Sequence, residues 1–362
     1  MSHSSPFIQN TIAAIQPVSQ AGGRRAQVLW DGLTKPQGSL GRLESLGTQY
    51  VAMTRSLPTK NPDAMMFVLA ADHGVAGEGV SAYPSSVTAQ MVKNFLQGGA
   101  AINVLARQVG VKVRVVDMGV QVDMGTPPGL WVRKIGLGTC NMCEGPAMSR
   151  EQAVQSVETG IRLVREAYAD GIRLIGIGEM GIGNTTVSSA ITAVMARHPV
   201  AEVTGKGTGV DALQLAKKVQ VIERSIQQNS PDAHDPLDVL AKVGGFEIGG
   251  LVGILVGGAA YRVPVILDGF ITGAAALLAV ALAPHCHAYL IPSHISAEPG
   301  HRLAMNSLGF QPLLDLDLRL GEGTGACLAI GLLYSSLACL TQMATFESAG
   351  VNEAVRPFPE MA

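Results

Sequence analysis

Five short apolar runs constrain this chain more than any other feature: 65–71 (MMFVLAA), 111–117 (VKVRVVD), 173–178 (RLIGIG), 263–269 (VPVILDG) and 287–293 (HAYLIPS). They are too hydrophobic for half-exposed strands and show no regular alternation. Strands of that kind are covered on both faces, as in a parallel sheet under helices. A further run, 130–136 (LWVRKIG), is a candidate additional strand. Helix signals separate the runs. Ser149-Arg-Glu-Gln152 is a capping box opening the amphipathic EQAVQSVETGIRLVREAYADG, and Asp235-Pro236 pairs an N-cap residue with a proline at the first helical position. Strand and helix in alternation predict a doubly wound α/β sheet. The first 60 residues carry helix patterns and a polar glycine loop but no strand, and the tail after 325 is also helical. The expected layout is a large α/β domain over 61–325 and a small helical domain formed by 1–60 plus 326–362.

Polar residues gather just after each run: Asp72-His73-Gly74, Asp117-Met118-Gly119, the stretch 179–186, Asp268-Gly269, and 293–298. Any one of these is ordinary turn chemistry. Together they point to a site, because open α/β sheets bind ligands at the carboxyl ends of their strands.

Composition narrows the class. Apolar residues make up 47% and charged residues 15%, which supplies a sizeable core. Aromatics are only 4% against 43 glycines, so that core is aliphatic and closely packed. A formal charge of −2 gives no nucleic-acid footprint. The N-terminus has no basic segment followed by an apolar one, so no secretory signal is expected. The uncharged run 269–284 is shorter than the ~20 residues of a membrane span and reads as a buried helix. Five cysteines without framework spacing fit a reducing, cytoplasmic setting. Cys140 and Cys143 form a C-x-x-C, with His285 and His287 far downstream; this is half a zinc motif, and no metal is expected.

The segment Gly176-Ile-Gly178-Glu179-Met180-Gly181 matches the dinucleotide fingerprint G-x-G-x-x-G. The helix, however, starts later, near Asn184-Thr185-Thr186, so the match is accidental. Gly181, Gly183, Asn184, Thr185 and Thr186 instead resemble a single-phosphate cradle at a helix N-terminus. A second loop, Gly205-Lys206-Gly207-Thr208-Gly209, adds amides, a hydroxyl and a cation, although Lys206 also reads as a solvated loop charge. Glu179 is then free for a ribose hydroxyl or a ring nitrogen. Glu322 sits between glycines ahead of an apolar helix, where it is either an acid favoured by the helix dipole or a carboxylate facing a planar ligand.

LTKPQGSLGRLE (33–44), ADHGV (71–75), GIGEMGIGNTT (176–186), TGKGTG (204–209) and LGEGTGA (320–326) together resemble the signature segments of the nicotinate-nucleotide–dimethylbenzimidazole phosphoribosyltransferase family. The resemblance spans nearly the whole chain. It implies a Rossmann-like parallel sheet flanked by helices, a small domain from both chain ends, and a homodimer. It also implies transfer of 5-phosphoribose from nicotinate mononucleotide to 5,6-dimethylbenzimidazole, giving α-ribazole 5′-phosphate for the lower ligand of cobalamin. Matched by motif, Glu322 is the catalytic base, Glu179 serves the nicotinate and ribose end, the two glycine loops hold the phosphate, and Tyr83, Met91, Met180 and Leu320 form the acceptor pocket.

Two other readings stay open: the same donor with another acceptor, such as adenine or a phenol, and a nucleotide-binding module without catalysis. Products formed from mixed bases separate the first, and base-dependent release of nicotinate excludes the second. The expected partners are small molecules, with neither nucleic acid nor membrane. No cofactor is expected either, because the pyridinium ring of the donor is already an activated leaving group. Asp117 and Asp268 each stand alone, unlike the adjacent acids of magnesium-dependent phosphoribosyl-pyrophosphate enzymes. Turnover is therefore expected to persist in EDTA; loss of activity restored by Mg²⁺ or Zn²⁺ would contradict this account of the donor.

Overall fold

The computed structural model describes residues 5–207, 209 and 211–352. Six strands, β1 (Ala64–Ala71), β2 (Lys112–Gly119), β3 (Leu130–Val132), β4 (Leu174–Met180), β5 (Val265–Leu267) and β6 (Leu290–Pro292), form one sheet in the order β3-β2-β1-β4-β5-β6. Every pairing in it is parallel. All five apolar runs contribute a strand, and the additional run supplies the edge strand β3. Two strands are shorter than their runs. β5 and β6 are three residues each, and residues at the start of the last run belong to a 3-10 helix, Pro284–Tyr289, opened by its proline.

The eight residues of β1 are all buried, in keeping with its lack of alternation. Strand order reverses between β1 and β4, which places the sheet's topological switch point beside residues 72–73 and 179–181. That is where doubly wound sheets open a crevice for ligand.

The helix signals hold. Ser149 Oγ accepts from Gln152 N at 3.2 Å, and Gln152 Oε1 accepts from Ser149 N at 3.0 Å, at the head of the helix Arg150–Ala169. Asp235 Oδ1 accepts from Leu237 N and Asp238 N ahead of the helix Pro236–Val243. The uncharged run becomes the helix Phe270–Leu282, whose first ten residues are all buried. The helix Thr324–Gln342 is by length and composition apolar enough to cross a membrane, but 56% of its most apolar window is buried within the protein.

The helix Arg150–Ala169 meets the helix Phe246–Tyr261 almost backbone to backbone. A methyl at Gly160 would strike Gly250 O and lie 2.8 Å from Gly253 Cα, and one at Gly253 would strike Val157 O. Glycine is needed there for approach rather than for conformation.

By contacts the chain separates into two compact units. One comprises 63–330 with the N-terminal segment up to Pro17, and the other comprises Val18–Pro62 with the segment from Gly331 onward. In the larger unit, Tyr289 OH donates to Gln16 O at 2.8 Å, tying down the N-terminal segment. In the smaller unit, Trp30, Ala26, Leu33, Val51 and Leu340 form a buried cluster. The buried pair Lys35–Glu44, 2.8 Å apart, fixes its polar glycine loop, and Glu44 also accepts from Leu40 N.

Gly253→Ala overpacks the glycine crossing and is expected to cost about 1–3 kcal/mol of stability. Gly145→Ala, where an added methyl meets nothing within 4 Å, should change little. Chemical unfolding of both variants checks this, and equal midpoints would rule out a tight crossing.

Candidate active site

β4 carries two glycines because another loop lies against it. Gly176 and Gly178 sit inside the strand, so they do not form a nucleotide loop. A methyl on Gly178 would strike the backbone of Glu322 and Gly323, and one on Gly176 would strike Met66 Sδ. The space left by Gly178 lets the segment 321–323 pack directly on the strand. That segment is left-handed at three successive residues, with φ of 81° at Gly321, 63° at Glu322 and 89° at Gly323. A glutamate in this conformation costs roughly 1–3 kcal/mol and persists only when its surroundings over-determine it.

Asp268, just after β5, supplies much of that determination. Its carboxylate accepts from Gly323 N at 3.0 Å, Gly325 N at 2.7 Å and Ala326 N at 3.1 Å, capping the helix Thr324–Gln342. The amides at this helix start are therefore taken by Asp268. This corrects the expectation that the helix N-terminus keeps Glu322 ionised. Glu322 is 6% exposed, its Oε2 has no hydrogen-bond partner among the described residues, and burial, with the Asp268 charge, pushes its carboxyl up to about 7. Such a group is still a competent base near neutrality.

Glu179, at the end of β4, lies next to this loop: a methyl on Gly321 would sit 2.5 Å from Glu179 Oε1. Burial raises the Glu179 carboxyl well above the ordinary range, and the carboxylates of Asp268, Glu247 and Glu322 raise it further. Asn184 Nδ2 donates to Glu179 Oε2. Behind the turn at Gly181, His73 Nε2 and Glu247 Oε1 form a fully buried pair at 2.7 Å. A methyl on Gly181 would strike Ala71 O and lie 2.9 Å from His73 Nε2, so this turn is seated on the pair.

A cavity of about 470 Å³ opens beside these groups. Tyr83, Met91, Met180 and Leu320, the four expected acceptor residues, all line it, together with Glu322. Glu179, Gly181, Asn184, Thr185 and Gly207 line it too. Gly183 and Thr186 do not: Gly183, at φ 100°, is the N-cap of the helix Asn184–Ala196, and Thr186 is fully buried. Asn184 N donates to Gly181 O and Thr186 N to Gly183 O, so two amides of the expected cradle serve the turn itself. Gly205, Lys206 and Gly209 line a neighbouring cavity of about 560 Å³, and Glu298 and Arg319 line both. Thr208 lies outside the described residues.

Lys218 is a group that motif reading passed over. It is fully buried on the helix Ala212–Asn229, and its Nζ donates to Thr185 Oγ1 at 2.9 Å and Gly205 O at 3.2 Å. It thus ties the two glycine loops together. Burial pulls its ammonium down to about 8. The signal was present in the sequence: Lys218, Val221, Ile222, Ser225 and Asn229 share the buried face at helical spacing. Asp268, His294 and Glu298 belong to polar clusters already visible at the strand ends.

Cys140 is exposed, and Cys143 Sγ lies 3.2 Å from Ser225 Oγ. His287 Nε2 contacts Leu308 O at 2.8 Å, and its ring stacks on Phe310. Among the described residues no group of three or more His, Cys, Asp or Glu is arranged to hold a metal ion.

Known proteins resemble this chain in sequence and fold. A family model described as phosphoribosyltransferase matches residues 15–351. The nicotinate-nucleotide–dimethylbenzimidazole phosphoribosyltransferase of Desulforudis audaxviator is 53% identical over 347 residues, covering 96% of this chain and 98% of that protein. Its counterpart from Roseiflexus sp. strain RS-1 is 54% identical over 346 residues, with coverage of 96% and 98%. The crystal structure of the Thermus thermophilus enzyme of the same name superposes with a TM-score of 0.86 at 42% identity, covering 93% of this chain and all of that one. On this similarity, over nearly its full length, the chain belongs to the nicotinate-nucleotide–dimethylbenzimidazole phosphoribosyltransferase family.

Proposed function

We propose that the protein transfers the 5-phosphoribosyl group of nicotinate mononucleotide to 5,6-dimethylbenzimidazole, yielding α-ribazole 5′-phosphate and nicotinate. The observation that carries this reading is Glu322: a carboxylate on the cavity wall with one free oxygen, its carboxyl pushed up to about 7 by burial, beside the four residues matched to the acceptor pocket. One nitrogen of the benzimidazole attacks the anomeric carbon, and Glu322 takes the proton from the other. The bond from that carbon to the pyridinium nitrogen breaks, and its electron pair neutralises the ring of the departing nicotinate. Attack opposite the leaving group inverts the anomeric carbon. Glu179, which burial keeps protonated well above the ordinary carboxyl range, is suited to donate a hydrogen bond at the nicotinate and ribose end.

The phosphate falls to the loops joined by Lys218, with Gly181, Thr185, Gly205, Lys206, Gly207 and Gly209 around it. A cation held between glycine turns suits a phosphate dianion. A cytoplasmic homodimer working on small molecules alone, without nucleic acid or membrane, completes this reading. It rests on the family resemblance, the near-neutral charge and the cysteine usage.

Glu322→Gln is expected to lower turnover by roughly two to four orders of magnitude while leaving affinity for nicotinate mononucleotide nearly unchanged. Steady-state rates and donor titrations on the same preparation check it; near-normal turnover in a folded variant would remove Glu322 from the base role.

A pH dependence follows from the same group. Wild-type kcat/KM should fall as pH drops through about 7, because only the ionised carboxylate accepts a proton. Stability has the opposite slope. The folded protein holds this proton more tightly than the unfolded chain does. Glu322's contribution is thus fully present below the ordinary 4.5 and is lost as pH rises through about 7. Glu322→Gln should therefore gain stability on the wild type between pH 5 and pH 8; unfolding midpoints that move in parallel would contradict the raised carboxyl.

A further inference from the structure

Glu298 has no assigned role, and its setting is unusual. It is the N-cap residue of the helix Pro299–Leu308, yet its side chain makes no capping bond. The carboxylate turns away from its own helix. Oε1 accepts from Gly207 N at 2.9 Å, while Oε2 is buried and has no hydrogen-bond partner among the described residues. The residue is 7% exposed. Lys218 is near enough for the Glu298 charge to act on it, but its Nζ directs its hydrogen bonds to Thr185 Oγ1 and Gly205 O, and Oε2 itself lies against Gly205, where an added methyl would strike it. A buried carboxylate oxygen without a donor is costly, so such groups are retained where a ligand completes them.

The position says which ligand. Glu298 lines both cavities. On one side lie Glu179 and Glu322, next to the reacting bases. On the other lie Lys206 and the loop tied to Lys218, assigned above to the phosphate. A 5-phosphoribosyl group reaching from one to the other carries its ring, with two secondary hydroxyls, past the junction. A carboxylate accepts hydroxyl hydrogens and offers nothing to the phosphate itself.

We propose that Glu298 recognises the donor's ribose, its Oε2 accepting a hydrogen bond from a ring hydroxyl, and thereby selects ribonucleotide over deoxyribonucleotide donors. This rests on the donor assignment made above. Charge-assisted bonds of this kind correspond to about 10- to 100-fold in affinity.

The test is equilibrium titration of wild type and Glu298→Gln with nicotinate mononucleotide and its 2′-deoxy and 3′-deoxy analogues. Glutamine keeps an oxygen for Gly207 N and removes the charge. Wild type should bind at least one deoxy analogue about 10- to 100-fold more weakly than the ribonucleotide, and Glu298→Gln should lose most of that discrimination by weakening on the ligands that keep the bonded hydroxyl and not on the analogue that lacks it. Equal weakening on all three ligands, or a wild type that does not discriminate, would overturn the proposal and leave Glu298 as a loop anchor. Base-dependent nicotinate release, followed in the same preparations, tests the reaction separately. If release is absent but discrimination collapses in the variant, the reaction fails and the recognition of ribose stands.

Discussion

The three backbone N–H bonds that converge on Asp268 hold the proposed catalytic geometry together. They tie the carboxyl end of β5 to the start of the helix Thr324–Gln342, and so fix the loop that carries Glu322 against β4. Each bond is charge-assisted and lies at a helix N-terminus, where a carboxylate is favoured. That support offsets the cost of the left-handed Glu322 between its two glycines. It also has an electrostatic consequence. With the amides committed to Asp268, Glu322 has no donor on Oε2, and burial, with the Asp268 charge, pushes its carboxyl up to about 7. One interaction thus positions the proposed base and helps set its proton affinity.

The sheet makes this possible through small residues. Gly178 leaves room for the Glu322 loop, and Gly181 leaves room for the buried His73–Glu247 pair. The same device recurs where Gly160 and Gly253 let two helices touch. Close backbone approach, rather than aromatic packing, shapes this core. It lets groups from four strand ends converge at the point where strand order reverses.

Much of this was legible beforehand. The five apolar runs declare buried parallel strands, because strands covered on both faces show no alternation. Clusters such as 179–186 and 293–298 mark the ligand edge. What could not be read was mutual placement. Gly176 and Gly178 imitate a nucleotide fingerprint in sequence, while their need is to admit another loop, a contact 145 residues away between Gly178 and Gly323 that no local pattern encodes. Thr186 looks like a cradle hydroxyl, but helix phase turns it into the core. The dipole of the last helix points at Glu322 in sequence and is claimed by Asp268 in space. Lys218 hides in an ordinary amphipathic helix, and only its position on the buried face betrays it.

The central claim is that Asp268 positions Glu322 and, together with burial, raises its proton affinity. It is tested most directly by the pH profile of kcat/KM for Asp268→Asn, with folding verified by thermal melt. Asparagine retains an oxygen for the Gly325 and Ala326 amides, gives up the bond from Gly323 N, and removes the neighbouring charge that, after burial, raises Glu322. The acid limb should move to lower pH relative to wild type, even if the maximal rate drops. An acid limb that stays in place, or moves upward, would contradict the account.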